Sequence, residues 1–187
     1  MNGSEKENEQ EVLTDTESKN PSIKEIKTST DKTFRVTEDK TSASLSNLTI
    51  EPIGFPNTQE VFEIKDSDPL SGMFALDLNK DGFDELYLIT TAAGSGGYSG
   101  IIGYASNSDQ SVTPVYVPEM TENDLAPNGD YYGYMGHDSI YVANDQLYRK
   151  FPIYKEGDAN CCPTGGDKTL GYSLKAGEAS WILETTK

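Results

Sequence analysis

From residue 47 onwards, short segments rich in β-branched and aromatic residues recur about every ten residues, with turn residues between them. No window carries a helical apolar stripe of useful length. No internal repeat of fixed period is visible, which argues against a propeller. The pattern predicts an all-β fold, an antiparallel sandwich or a barrel-like domain. The candidate strands are 47–54, 60–65, 73–78, 85–91, 100–106, 112–117, 139–144, 147–154, 168–174 and 180–185. Asn144-Asp145 and Ala176-Gly177 are the candidate tight hairpin turns.

The N-terminal part of the chain has a different composition. Phe34 is the only aromatic residue of segment 1–45, in which Glu, Lys, Ser, Thr and Asp dominate. Such a segment buries too little apolar surface to offset the entropy lost on ordering. We therefore predict a disordered acidic tether over residues 1–45 and one folded domain over residues 46–187.

The charge of the chain limits its partners. With 31 acidic and 15 basic residues, the formal net charge is −16. This balance argues against binding nucleic acid or an anionic membrane surface, and favours a basic protein partner. The sequence has neither the ~20-residue apolar run of a membrane span nor a hydrophobic leader after Met1. The sequence fits either a cytosolic protein or a mature chain from which a leader has been removed.

The stretch DLNKDGFDE has the appearance of a metal loop. Asp77, Asn79 and Asp81 alternate before Gly82, as in the first half of a calcium loop. The twelfth position of an EF-hand would be Leu88, so that motif is incomplete, and Glu85 is the residue that could complete a shorter loop. This form resembles the calcium loops of integrin-type repeats. A turn whose side chains cap their own backbone, without an ion, is the alternative.

The glycine-rich stretch TTAAGSGGYSG follows one strand segment and precedes another. It places Ser95 and Tyr98 among four glycines, and AGSGG is one residue away from the GxSxG nucleophile motif. That motif needs a strand-to-helix turn, whereas this chain returns to a strand, and His137 is the only histidine. We therefore expect a binding loop or a plain hairpin tip here, and no enzyme.

The two cysteines, Cys161 and Cys162, are adjacent. Without a CxxC spacing, a thiolate zinc site is not expected. Free thiols and a vicinal or partner-linked disulfide both remain open.

Three blocks of the sequence resemble the periplasmic inhibitors of invertebrate-type lysozyme of Gram-negative bacteria. Their order and spacing follow the pattern of that family, and together they cover most of residues 47–187. One departure is the Cys161-Cys162 pair, where small residues are expected. The blocks are DLNKDGFDELYLITTAAGSGGYSGIIGYASN (77–107), GHDSIYVANDQLYRKFPIYKEGDAN (136–160) and PTGGDKTLGYSLKAGEASWIL (163–183).

The resemblance implies an all-β inhibitor whose exposed SGxY loop enters the active-site cleft of a lysozyme. In this sequence the motif is Ser95-Gly96-Gly97-Tyr98. Ser95 would approach the catalytic carboxylates, Tyr98 would pack and hydrogen-bond beside it, and a homodimer is possible. The implied location is the periplasm or the outer membrane, through a lipid-anchored tether, with the leader absent from this chain.

A second hypothesis is a calcium-stabilised β domain with a role in adhesion or in the cell envelope. Its ligands would be Asp77, Asn79, Asp81 and Glu85. The two hypotheses differ in what the glycine-rich loop is for.

Overall fold

The computed structural model describes residues 21–186, which form an all-β protein with twelve strands and a single helical turn. All ten predicted strand segments are confirmed, with ends that shift by up to three residues. No helix of this described range is long and apolar enough to cross a membrane. The strands are β1 (Ser22–Lys27), β2 (Thr33–Lys40), β3 (Ser46–Ile53), β4 (Phe62–Ser67), β5 (Leu70–Leu76), β6 (Glu85–Thr91), β7 (Ser99–Asn107), β8 (Ser111–Val115), β9 (Ser139–Ala143), β10 (Gln146–Pro152), β11 (Asp167–Ala176) and β12 (Trp181–Thr186), and the helical turn is α1 (Glu122–Leu125).

The strands form three four-stranded antiparallel sheets, each built from consecutive strands. The first sheet has the order β1-β2-β3-β4, the second β5-β6-β7-β8 and the third β12-β11-β10-β9. The second and third sheets also meet at their edges, where Tyr116 N–H donates to Trp181 O at 2.8 Å and Leu183 N–H donates to Tyr116 O at 2.9 Å. This short bridge joins the edge of β8 to the edge of β12.

The second sheet lies between the other two, and each of its two apolar faces packs against one of them. On β6, Leu86 and Leu88 pack into a core shared with the first sheet, whereas Tyr87 and Ile89 pack into a core shared with the third. Side chains alternate between the faces of a strand, so an uninterrupted apolar run is the pattern expected of a strand covered on both sides. β6 is therefore the central strand of a three-layered structure.

The predicted tether boundary at residue 45 is wrong, because β1 and β2 belong to the first sheet. Phe34 and Val36 of β2 are fully buried and pack against the second sheet. Glu38, on the same face, accepts hydrogen bonds from Ser46 Oγ at 2.8 Å and from Leu70 N–H at 2.9 Å. The segment TFRVTE alternates apolar and polar residues, a strand signal that the polar composition around it obscured. Residues 1–20 of the predicted tether lie outside the described residues.

Of the two predicted hairpin turns, one is confirmed and one is corrected. Asn144 and Asp145 both adopt positive φ, 50° and 54°, as a two-residue hairpin turn requires. Ala176 instead pairs with Trp181 as the last residue of β11. The turn is the four-residue segment 177–180, closed by a bond from Gly177 N–H to Ser180 O at 2.9 Å.

Candidate functional site

The glycine-rich loop, residues 92–98, connects β6 to β7. Ala92 N–H donates to Tyr98 O at 2.9 Å, which closes the base of the loop, and Gly97 N–H donates to Gly94 O at 3.0 Å at its tip. Gly97 has a φ of +50°, in the left-handed region that glycine enters without strain. The loop is thus a defined turn with its own backbone bonds.

Ser95 and Tyr98 both reach solvent from this loop. Ser95 is exposed, and Tyr98 is 47% exposed. The Tyr98 ring lies edge-on to Tyr134, with the ring centroids 5.7 Å apart. A Cβ at Gly96 would lie 2.4 Å from Tyr98 Cε2, so only glycine lets the ring lie against the loop. Tyr98 is therefore held on one side and free to make contacts on the other.

A second segment, residues 133–138, supports the glycine-rich loop from behind. His137 N–H donates to Gly96 O at 2.5 Å. Gly136 has a φ of +85°, and a Cβ there would lie 2.1 Å from Gly96 O. Glycine is required at this crossing because two backbones approach each other more closely than any side chain allows.

A third segment reaches the loop through Asn160. Its Nδ2 donates to Ser95 O at 3.2 Å, while its own carbonyl accepts from Tyr154 Oη at 2.7 Å. Cys161 and Cys162, which follow directly, are exposed and joined in a vicinal disulfide. The disulfide therefore adjoins a residue that holds the glycine-rich loop.

Beneath the loop lies a buried ion pair. Arg149 Nη1 donates to Asp138 Oδ2 at 2.5 Å, and the two side chains are 5% and 0% exposed. The other carboxylate oxygen, Asp138 Oδ1, accepts from Ser99 N–H at 2.9 Å. Ser99 directly follows Tyr98, so the carboxylate anchors the end of the loop.

Tyrosine hydroxyls surround the guanidinium of this ion pair. Arg149 Nε donates to Tyr172 Oη at 2.8 Å, and Nη1 donates to Tyr134 Oη at 3.1 Å. Burial lowers the pKa of Arg149, but the phenols and Asp138 outweigh it, and the net pKa is raised. Tyr134 is also the ring against which Tyr98 packs, so these contacts connect the buried ion pair to the exposed tyrosine of the loop.

The same network of contacts engages Asp138 and His137, the carboxylate and the histidine that Ser95 would need to act as a catalytic nucleophile. The Asp138 carboxylate binds Arg149 and Ser99, and His137 Nε2 lies 3.3 Å from Asn160 Oδ1. His137 is exposed at a φ of +55°. The contacts described for both residues hold the glycine-rich loop in place.

The acidic loop, residues 77–85, enters β6 at its other end. Asp77 accepts from the N–H groups of Asp81 at 3.1 Å and Gly82 at 3.0 Å, and Asp81 accepts from Phe83 N–H at 3.0 Å. Asn79 is hydrogen-bonded to Asp81 through both atoms of its amide, each at 3.0 Å. The acidic loop is therefore a turn whose side chains cap its own backbone.

The same loop brings three carboxylates together. Oxygens of Asp77, Asp81 and Glu85 all lie within 4.8 Å of one another. Glu85 is fully buried, with Oε2 accepting from Leu78 N–H at 2.8 Å. Burial, together with the nearby charges of Asp81 and Asp77, raises the pKa of Glu85 to about 8, although the Leu78 N–H opposes the shift.

Comparisons of this chain with protein-family models, with curated proteins and with solved structures found no match. The interpretation of both loops therefore depends on their own geometry and chemistry, and on the resemblance described above.

The sequence located the two loops but not their supports. Ser95, Gly96, Gly97 and Tyr98 do form one turn, in which Ser95 and Tyr98 are exposed, and Asp77, Asp81 and Glu85 do converge. Sequence reasoning missed Gly136, Asp138, Arg149 and Asn160. The signal for Gly136 was weak, because an isolated glycine ahead of a strand segment has many explanations.

Proposed function

We propose that the protein inhibits a lysozyme, of the invertebrate type, by inserting the glycine-rich loop into the active-site cleft of the enzyme. The single observation that carries this proposal is the loop itself. It is a narrow turn that directs Ser95 and half of Tyr98 to solvent and is held rigid by a neighbouring segment and a buried ion pair. A loop ordered before binding loses little conformational entropy in the complex.

The chemistry of the loop suits a cleft that contains carboxylates. Glycoside hydrolases cleave their substrates with a pair of carboxyl groups. The Ser95 hydroxyl and the Tyr98 phenol can each donate a hydrogen bond to such a group. Tyr98 adds apolar contact area at low entropic cost, since its side chain has only two rotatable χ angles.

The charge of the chain supports the same class of partner. A net charge of −16 attracts a basic enzyme over distances longer than a hydrogen bond. On this proposal the protein acts in the periplasm or tethered to the outer membrane, where an incoming lysozyme meets the cell wall. A homodimer remains part of the proposal only through the family resemblance.

A lysis assay tests the proposal. Permeabilised bacterial cells are treated with invertebrate-, chicken- and goose-type lysozymes, each titrated with this protein. Selective inhibition of the invertebrate-type enzyme is the expected result. No inhibition of any of the three enzymes would overturn the proposal and favour the second hypothesis, a calcium-stabilised envelope or adhesion domain.

A further inference from the structure

The strongest feature outside the glycine-rich loop is a cluster of three carboxyl groups at the start of β6. Asp77, Asp81 and Glu85 place three carboxylates within 4.8 Å of one another. An acidic cluster alone is common on protein surfaces, and self-capping accounts for Asp77 and Asp81. Neither of these facts explains why Glu85, the third member, is buried.

Glu85 is the independent observation, because it is a buried carboxyl group with an oxygen that accepts no hydrogen bond. Its side chain is 0% exposed, and its Oε2 accepts from Leu78 N–H. Within the described range 21–186, Glu85 Oε1 has no hydrogen-bond partner. Leaving a buried carboxyl oxygen without a partner costs free energy, and a cation bound there would recover it.

We infer that Asp77, Asp81 and Glu85 bind a calcium ion, with Asn79 holding Asp81 in position. The donors are all oxygens, and no cysteine or histidine belongs to the cluster of described residues, so a hard cation is favoured over zinc or copper. Calcium is favoured over magnesium because the carboxylates of an irregular loop suit its longer, more variable bonds, whereas magnesium demands near-ideal octahedral geometry.

The position of the loop gives the ion a structural role. Asp84 Oδ2 accepts from Ser29 N–H at 2.6 Å, in the turn between β1 and β2. Lys80 Nζ donates to Asp145 O at 3.3 Å, in the turn between β9 and β10. The acidic loop therefore contacts the first and third sheets while it leads into the central strand of the second. An ion that fixes this loop would couple all three sheets at one edge.

The test is calcium binding by the full chain after treatment with EDTA, followed by titration calorimetry and thermal unfolding. We expect one ion per chain and a rise in Tm of about 5–10 °C when free calcium is about 100 times Kd. Glu85→Gln and Asp81→Asn are each expected to abolish the rise. Asp81 is exposed, so its variant keeps the test valid if the buried substitution impairs folding.

Glu63→Gln is the matched control, because it removes one negative charge from an exposed position on β4, outside the cluster. It is expected to keep the full calcium response. No binding at millimolar calcium, or an equal response of all three variants, would overturn the inference. A response to magnesium as large as that to calcium would overturn the choice of ion. None of these outcomes depends on lysozyme inhibition.

Discussion

The acidic loop and the glycine-rich loop lie at opposite ends of β6, about 20 Å apart for a seven-residue strand, and are built in opposite ways. In the acidic loop, side chains turn inward and bind the backbone of their own loop. In the glycine-rich loop, Ser95 and Tyr98 reach solvent, and the carbonyls of Ser95 and Gly96 are held by neighbouring segments. A loop can thus be ordered either by its own side chains or by its surroundings, and here the loop ordered by its surroundings is the one that leaves a serine and a tyrosine free to contact another protein.

The largest expected effect comes from removing the support of the glycine-rich loop. Asp138→Ala leaves the Arg149 guanidinium buried without its carboxylate, which costs about 3–5 kcal/mol of folding free energy. Urea unfolding with linear extrapolation measures the loss. Glu184→Ala is the control, because its partner Lys175 lies in an exposed pair and the loss there is below about 1 kcal/mol. Equal losses in the two variants would contradict the expected stabilising role of the buried pair.

A smaller effect is expected where the two backbones cross. Gly136→Ala and Gly157→Ala both place a side chain at a similar positive φ, 85° and 87°. Only the new methyl group at position 136 meets an atom, Gly96 O, whereas position 157 has open space around it. We expect Gly136→Ala to lower the unfolding free energy by about 1–3 kcal/mol more than the control does. It should also weaken lysozyme inhibition, whereas Gly157→Ala should not.

The next effect concerns the presented side chains themselves. Tyr98→Ala is expected to weaken inhibition by about 30-fold, which corresponds to about 2 kcal/mol, the loss typical of an anchor at the centre of an interface. The free energy of unfolding should change much less, since half of the ring is exposed. Tyr116→Ala is the control, because that ring is 57% exposed but distant in sequence from the loop. Similar inhibition by both variants would contradict the assigned role of Tyr98.

The smallest effect separates long-range attraction from contact. Added salt screens the net charge of −16, so the association rate constant with a basic lysozyme should fall several-fold between low and physiological ionic strength. The dissociation rate constant should change little, since the contacts of the loop act at short range. Surface plasmon resonance at several salt concentrations measures both. A salt effect confined to dissociation would contradict this division.

The sequence predicted those parts of the fold that depend on local pattern. The segment ELYLITT, with its apolar run at 86–89, predicted β6 with its observed ends, Glu85–Thr91, and the alternating oxygen-bearing residues before Gly82 located the acidic loop. Both signals lie within a few consecutive residues, where periodicity and turn chemistry act directly.

What the sequence could not predict depends on contacts between distant residues. Asp138 and Arg149 are ordinary charged residues in the sequence, and only the pairing of β9 with β10 places them beneath the glycine-rich loop. Phe34 and Val36 of β2 are fully buried because the second sheet covers them. The average composition of the N-terminal segment could not reveal this partner, so the folded part was predicted to begin too late.

The role of the glycine-rich loop is tested by one inhibition assay. Invertebrate-type lysozyme is titrated with the wild-type protein, with the Ser95→Ala/Tyr98→Ala double variant and with a Ser44→Ala/Tyr116→Ala double control, after thermal unfolding has shown that all three are folded. We expect tight inhibition by the wild-type protein and the control, and inhibition weaker by at least about 30-fold by the Ser95/Tyr98 variant. Full inhibition by the Ser95/Tyr98 variant would contradict the role assigned to the glycine-rich loop.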